Sequence, residues 1–167
     1  MLSSPTRTCS VKEQQIRLTD QKKQQTNQLS TMPSWTKAVS TSTAERYLSA
    51  LAELRAAPAP RFVLFLGIDP STKTLWCPDV RRCAPAVRKA CEKASLLEVD
   101  VGGRDVWRGK TPHPFRAAPL SLTGIPTLLA VDGEGKEIGR VGSELEATGS
   151  EEEAAAVAGA FVEKFRS

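Results

Sequence analysis

The stretch Arg61-Phe-Val-Leu-Phe-Leu-Gly67, with Trp76-Cys-Pro-Asp79 shortly after it, decides the fold of this 167-residue chain. Five consecutive apolar residues between Arg61 and Gly67 predict a strand buried on both faces. After a loop at 68–76, apolar residues recur at steps of three and four, which is typical of an amphipathic helix. They are Val80, Cys83, Val87, Cys91 and Ala94. The sequence therefore predicts a strand–loop–helix unit, with Pro78 at the first position of the helix and a kink at Pro85.

Elements are predicted on both sides of this unit. Before it, Thr43 is a good N-cap for a helix that ends at Pro58. The apolar face of that helix comprises Tyr47, Leu48, Leu51 and Leu54. After it, Leu96–Val101 predicts a second strand, and residues 102–119 predict a long connection with about one helical turn.

The C-terminal part of the chain predicts a hairpin and a last helix. Two short strands, Pro126–Val131 and Glu137–Val141, flank Asp132-Gly-Glu-Gly135, a strong hairpin signal. Ser150 is an N-cap, and the three glutamates that follow it suit the positive end of a helix dipole. We expect an α/β domain with a mixed sheet covered by helices.

Charge and composition exclude several classes of protein. Apolar residues make up 40% of the chain, which allows a core, and no run reaches the ~18 apolar residues of a membrane span. The net charge of +4 lies entirely in residues 1–40, which hold six basic and two acidic residues. Because the remainder is neutral, we expect no nucleic-acid partner. Four unevenly spaced cysteines do not predict a disulfide-stapled secreted protein, so we expect the protein in the reduced cytoplasm. We also expect a monomer.

Residues 1–40 are rich in Ser, Thr and Gln and show no steady apolar period. Such a stretch cannot bury enough surface to offset the cost of ordering it. We predict a disordered tail at 1–40 and one domain at 43–167. A mitochondrial transit peptide is the alternative, against which stand Glu13, Asp20 and the lack of an apolar stripe.

Cys77 is the candidate nucleophile. It stands where a loop enters a helix, so unpaired N–H groups and the helix dipole favour its thiolate form. The thiolate is the attacking species in disulfide exchange. Asp79, two residues on, carries a charge that opposes thiolate formation. We expect the sulfur to be accessible at the tip of the helix.

A second motif, Ile125-Pro126-Thr127, opens a predicted strand about fifty residues later. With Trp76-Cys-Pro-Asp79, Pro85-Ala-Val-Arg88 and Gly124-Ile-Pro-Thr-Leu-Leu129, it makes residues 43–167 resemble the thioredoxin superfamily. The closer resemblance is to the thioredoxin domain-containing protein 17 family, whose active site reads WCPDC. The resemblance implies a thioredoxin-like fold with a cis-proline loop facing the cysteine.

The resemblance also implies a function and its site residues. It implies protein-disulfide reduction by Cys77, with no bound cofactor and with electrons from NADPH through thioredoxin reductase. Partners would be disulfide-containing proteins or small thiols. Six residues would hold the substrate: Trp76, Pro78, Asp79, Ile125, Pro126 and Thr127. The main chain of Ile125 would do so through strand-like hydrogen bonds.

One departure from the family pattern concerns the second cysteine, whose position holds Val80. In the dithiol mechanism that cysteine breaks the mixed disulfide and releases the reduced product. Val80 has no sulfur, so the usual intramolecular release is lost. Valine is close to cysteine in size, and the position lies on the core-facing stripe, so we expect the fold to tolerate it. The strand at Phe62–Leu66 also lacks the buried acid of ordinary thioredoxins.

The other cysteines are weak candidates for the missing partner. Cys83, six residues after Cys77, lies ~9 Å along a helix axis, beyond the ~7 Å Cα limit of a disulfide. Cys91 is ~21 Å away by the same rise. We expect both to be small buried apolar residues. Cys9, in the tail, could reach Cys77.

Other kinds of site find little support. No CxxC or HxxxH pair is present, so we expect no metal site formed by the cysteines and His113. His113 lies between two prolines, and we expect it to be solvated, with a Cys77–His113 dyad left open. Trp107 resembles a family position at the rim of the active site, or it anchors its loop.

Two functions follow from these residues. The first is a thiol–disulfide oxidoreductase that uses Cys77 alone and is released by an external thiol such as glutathione. The alternative is a non-catalytic binding module that keeps the cleft but has lost turnover.

Overall fold

A computed structural model describes residues 34–41 and 43–166 of the chain. Within these residues the helices are α1 (Ala44–Ala56), α2 (Pro78–Ala90), α3 (Arg104–Trp107), α4 (Ser143–Glu146) and α5 (Glu151–Glu163), with a 3-10 turn at Pro114–Arg116. The strands are β1 (Thr36–Ser40), β2 (Arg61–Leu66), β3 (Ser95–Asp100), β4 (Thr127–Val131) and β5 (Glu137–Val141). Most of the predicted tail, including Cys9, lies outside the described residues.

The strands form one mixed sheet in the order β1-β3-β2-β4-β5. Strands β1, β3 and β2 run parallel, and β4 is antiparallel to both β2 and β5. The turn from β4 to β5 carries Gly135 at φ 79°, the left-handed region that favours glycine. The predicted hairpin is therefore present at the predicted place.

Helices cover both faces of the sheet. Because side chains alternate along a strand, Phe62 and Phe65 of β2 point to opposite faces. The ring of Phe62 packs against that of Phe161 in α5 at 6.2 Å, and Phe65 packs against Tyr47 of α1 at 5.7 Å. Helix α2 lies beside α5. Strand β2 is buried on both faces, as its apolar run predicts.

The predicted elements are present, with ends displaced by a few residues. Helix α2 continues through Pro85, and the apolar stripe is buried over its whole predicted length to Ala94. Ser150 caps α5 by accepting a hydrogen bond from the N–H of Glu153. The α/β fold with a mixed, helix-covered sheet is confirmed.

Two expectations about the fold are wrong. Residues 36–40, predicted to belong to the tail, form the edge strand β1. An edge strand has one partner and needs few apolar residues; here Trp35 and Val39 pack against the core, and β3 supplies the backbone bonds. Leu48, placed on the buried face of α1, is 60% exposed, because that face is narrower than the pattern suggested.

In the part of the chain that the structure describes, no helix is long and apolar enough to cross a membrane.

Candidate functional site

Cys77 is the N-cap residue of α2, and Pro78 is the first residue of the helix. The carbonyl of Cys77 accepts a hydrogen bond from the N–H of Arg81, which fixes the first turn. The side chain of Cys77 makes no cap bond to the helix. Its sulfur is therefore free to contact groups outside the helix while remaining at the positive end of the dipole.

The Cys77 sulfur contacts the proline loop across the cleft. Its Sγ lies 3.7 Å from the main-chain oxygen of Ile125 and 4.0 Å from Oδ2 of Asp79. The Ile125–Pro126 peptide bond is cis. Thr127 Oγ1 donates to the oxygen of Gly124 at 2.8 Å, which ties this loop to the start of β4. The two motifs singled out in the sequence therefore meet in space.

Burial of Cys77 differs from the expectation of an accessible tip. The residue is only 5% exposed, and its sulfur contacts the proline loop at Ile125. Cys77 nevertheless lines a small cavity of about 120 Å³. The cavity is lined by Trp76, Cys77, Asp79, Trp107, Arg108, Arg116, Thr123, Gly124, Ile125 and Glu146. Of the predicted site residues, Pro78, Pro126 and Thr127 adjoin the cavity in sequence without lining it.

Trp76 is held in place by close packing and one hydrogen bond. Its Nε1 donates to the oxygen of Gly102 at 2.8 Å. A Cβ on Gly67 would lie 2.5 Å from the indole, so the ring can rest on β2's end only because residue 67 is glycine. Trp76 thus bridges the ends of β2 and β3 beside the cysteine.

Asp79 is compensated by a neighbouring charge. Its Oδ1 accepts a hydrogen bond from Arg82 at 2.7 Å, and Arg82 also donates to the oxygen of Glu146 at 3.2 Å. The negative charge that we expected to oppose the Cys77 thiolate is therefore paired. The sequence spacing of Asp79 and Arg82, one helical turn apart, was a signal for this pair.

Three charged cavity residues escape the sequence reasoning: Arg108, Arg116 and Glu146. Burial first, and then repulsion from Asp79, raises the pKa of Glu146. A Cβ on Gly124 would lie 2.0 Å from Glu146 Oε1, so the carboxyl occupies space that only a glycine leaves open. The basic residues between 104 and 116 were a signal for the arginines, whereas no local pattern pointed to Glu146.

The other described cysteines are buried and reduced. Cys83 is fully buried in the same continuous helix as the cap residue, and its Sγ lies 3.3 Å from the oxygen of Leu145. Burial raises the pKa of Cys91 to about 12, so its thiol stays protonated at neutral pH. Both match the prediction of small buried apolar residues.

We expected His113 to be solvated, but the residue is buried, with 2% of its surface exposed. Its Nδ1 accepts from the N–H of Phe115 at 3.2 Å, and its Nε2 lies 3.0 Å from the oxygen of Val101. These bonds require a neutral ring with the proton on Nε2. Both ring nitrogens are engaged by main-chain groups, so no Cys77–His113 dyad forms. The bond to Val101 holds the ring at the end of β3, where the loop folds back.

Metal-binding side chains do not cluster among the residues that the structure describes.

Comparison with known proteins places residues 40–145 in the thioredoxin domain of the thioredoxin domain-containing protein 17-like family. The thioredoxin-like protein Clot of Arabidopsis thaliana is 39% identical over 97 residues, which cover 52% of this chain and 71% of that protein. A thioredoxin domain-containing protein of Schizosaccharomyces pombe is 37% identical over 71 residues, which cover 40% of this chain and 56% of the yeast protein. Among solved structures, a disulphide isomerase of Xylella fastidiosa aligns with a TM-score of 0.48 at 20% identity, over 70% of this chain and 88% of that one.

Proposed function

The chain belongs to the thioredoxin domain-containing protein 17-like family and has a thioredoxin-like fold, and from this premise we propose that it is a thiol–disulfide oxidoreductase that reacts through Cys77 alone. One observation carries the proposal. The Cys77 sulfur lies at the start of α2, 3.7 Å from the Ile125 oxygen in the loop that leads into β4. A disulfide bound along that loop would present a sulfur to the thiolate.

The reaction is an exchange in two steps. The Cys77 thiolate attacks one sulfur of a substrate disulfide, a Cys77 mixed disulfide forms, and the other sulfur leaves as a thiolate that takes up a proton. Since Val80 carries no thiol and Cys83 is turned toward Leu145, an external thiol attacks the mixed disulfide and frees Cys77. NADPH would supply electrons through the reductase that regenerates that thiol, with no cofactor on this chain, whereas direct reduction by thioredoxin reductase would need a second thiol at position 80.

The site residues have separate roles in this proposal. Trp76 and Ile125 line the cavity beside Cys77. A substrate strand would be held there by hydrogen bonds to the Ile125 main chain. The Asp79–Arg82 pair holds a carboxylate near the sulfur with its charge compensated. Pro126 and Thr127 shape the loop, and Pro78 starts the helix.

A binding module without turnover is the second candidate, favoured by the buried valine at position 80 and by the low exposure of Cys77. Such a module would capture a partner's thiol or dock a peptide in the same cleft.

Insulin reduction tests the two functions. With glutathione, glutathione reductase and NADPH, we expect the wild type to accelerate reduction, Cys77→Ser to abolish the acceleration, and Cys83→Ser to retain it. With thioredoxin reductase and NADPH alone, we expect turnover only from Val80→Cys, which regains a resolving thiol. The binding module would be established instead if the wild type does not raise the rate of insulin reduction above that with glutathione alone, while Val80→Cys turns over. Loss of activity in Cys83→Ser would show that Cys83 is the resolving thiol.

The thiolate form of Cys77 can be measured directly by the pH dependence of its alkylation. An alkylation rate with the same pH dependence as that of an ordinary free cysteine would contradict activation by the helix start.

A further inference from the structure

The segment that forms one wall of the Cys77 cavity is strongly basic. Between residues 104 and 116 it contains four basic residues and one acidic residue, although the domain as a whole is neutral. Two of the four, Arg108 and Arg116, line the cavity together with Cys77. We call these two residues the arginine wall. The same cavity is lined by two carboxyl side chains, Asp79 and Glu146, so the basic segment supplies its two positive charges.

Arg116 is fixed in its position. Its guanidinium carbon lies 4.2 Å from the centre of the Trp107 ring, and Nη1 donates to the oxygen of Thr123 at 3.1 Å. Trp107 itself is buried. A guanidinium held over an aromatic ring keeps further N–H groups for a planar anion.

Neither arginine of the wall is paired with a carboxylate in the described part of the chain. On the other side of the cavity, Asp79 is already neutralised by Arg82 at 2.7 Å. The other carboxyl of the cavity, Glu146, has its pKa raised first by burial and then by the charge of Asp79. An anionic ligand would therefore find its partners at the arginine wall and not opposite it.

The size of the cavity limits what it can hold. Ligand pockets usually measure ~300–1,000 Å³, so a cavity of about 120 Å³ admits a small group rather than a whole cofactor. We propose that the arginine wall binds the carboxylate of a low-molecular-weight thiol, and that the thiol that releases the Cys77 mixed disulfide is one carrying a carboxylate a few bonds from its sulfur. This inference rests on the proposed function, whose second step it specifies.

The release step balances without any other reactant. The thiolate of the small thiol attacks the substrate sulfur of the mixed disulfide, the bond to Cys77 breaks, and Cys77 leaves as a thiolate. The product is a disulfide between the small thiol and the substrate, and a second molecule of the same thiol reduces it in solution. Arg108 and Arg116 lower the cost of bringing a carboxylate beside the leaving Cys77 thiolate.

A matched pair of thiols tests the inference. In a Cys9→Ser background, Cys77 is converted to its mixed disulfide with 2-mercaptoethanol, and peptide mapping locates the adduct. Recovery of the free protein is then followed by intact mass after addition of 3-mercaptopropionate or its neutral amide, 3-mercaptopropionamide. Rates are expressed per thiolate and referred to the same two thiols acting on 2-hydroxyethyl disulfide in solution.

We expect the protein to prefer the carboxylate thiol over its amide by roughly two- to fivefold for each arginine, the range of exposed ion pairs. Arg108→Gln and Arg116→Gln should each reduce this rate preference by the factor that the replaced arginine contributes. Arg104→Gln, in the same basic segment but outside the cavity, is the control and should keep the full preference. Arg116→Lys separates charge from the stacked position over Trp107 and should retain part of it.

Equal rates for the two thiols in the wild type, or a preference that Arg108→Gln and Arg104→Gln reduce alike, would overturn the inference while leaving the proposed function intact. If neither thiol frees Cys77, the proposed function is overturned as well.

Discussion

Val80 is fully buried on the inner face of α2, three residues after Cys77. At the residue scale this single side chain stands where the resemblance to the WCPDC motif places a second cysteine. The stability of the fold does not depend on the missing sulfur, because a valine fills nearly the same volume of core. Chemistry, rather than stability, is where the substitution acts.

His113 is the residue with the clearest pH dependence. Burial, to which the positive charge of Arg116 adds, lowers the pKa of His113, and its bond to Val101 opposes this only in part. As the pH falls, the unfolded chain takes up this proton before the folded one does, starting near the ordinary value of 6.5. The stability that the neutral ring contributes is therefore complete above that value and is lost on acidification.

We predict that the free energy of unfolding of the wild type falls between about pH 7.5 and pH 5.5, and that His113→Gln has a shallower slope over that range. Glutamine can still accept from the Phe115 N–H but does not titrate. Urea unfolding at a series of pH values measures both slopes. Parallel slopes would show that His113 titrates alike in the folded and unfolded chains.

At the scale of elements, α2 is joined to the sheet by a paired charge as well as by its apolar stripe. Arg88 donates through Nε and Nη2 to the two oxygens of Glu98 in β3, at 2.7 and 2.8 Å. Glu98 is mostly buried, whereas Arg88 is nearly half exposed. This bidentate contact helps to fix the helix that carries Cys77 against the strand that ends beside Trp76.

Arg88→Met should lower the free energy of unfolding by about 1–2 kcal/mol, because it leaves a buried carboxylate without its donor. Arg81→Met, on the exposed side of the same helix, is the matched control and should change it by less than about 0.5 kcal/mol. Chemical denaturation compares them. If the two variants are equally stable, the Arg88–Glu98 pair contributes nothing measurable to docking α2.

At the scale of the whole molecule, the domain begins earlier than the composition of its first forty residues suggested. Strand β1 covers the edge of β3, which is otherwise a buried strand with apolar residues on both faces. Removing β1 would expose that edge to solvent and to other chains.

We predict that a chain starting at Thr43 melts at a lower temperature than the full chain and aggregates, while a chain starting at Ser34 does neither. Thermal unfolding and light scattering during size-exclusion chromatography measure the two effects. Indistinguishable melting of the three chains would place the domain boundary at residue 43, where the sequence pattern alone puts it.

The sequence by itself determined the order of most helices and strands, missing β1 and α4, and it placed Cys77 at a helix start and Ile125–Pro126 at the start of β4. These features are written in local periodicity, in caps such as Ser150, and in two short motifs, each readable within about ten residues. Membership of the family follows from the same motifs.

Only the tertiary structure decided which of these residues meet and what surrounds them. The burial of Cys77 and His113, the packing of Gly124 against Glu146, and the meeting of the arginine wall with Cys77 all depend on segments that the fold brings together. Burial and charge pairing are set by through-space contacts, and a strand such as β1 is stabilised by the backbone of its neighbour rather than by its own side chains. No local pattern carries that information.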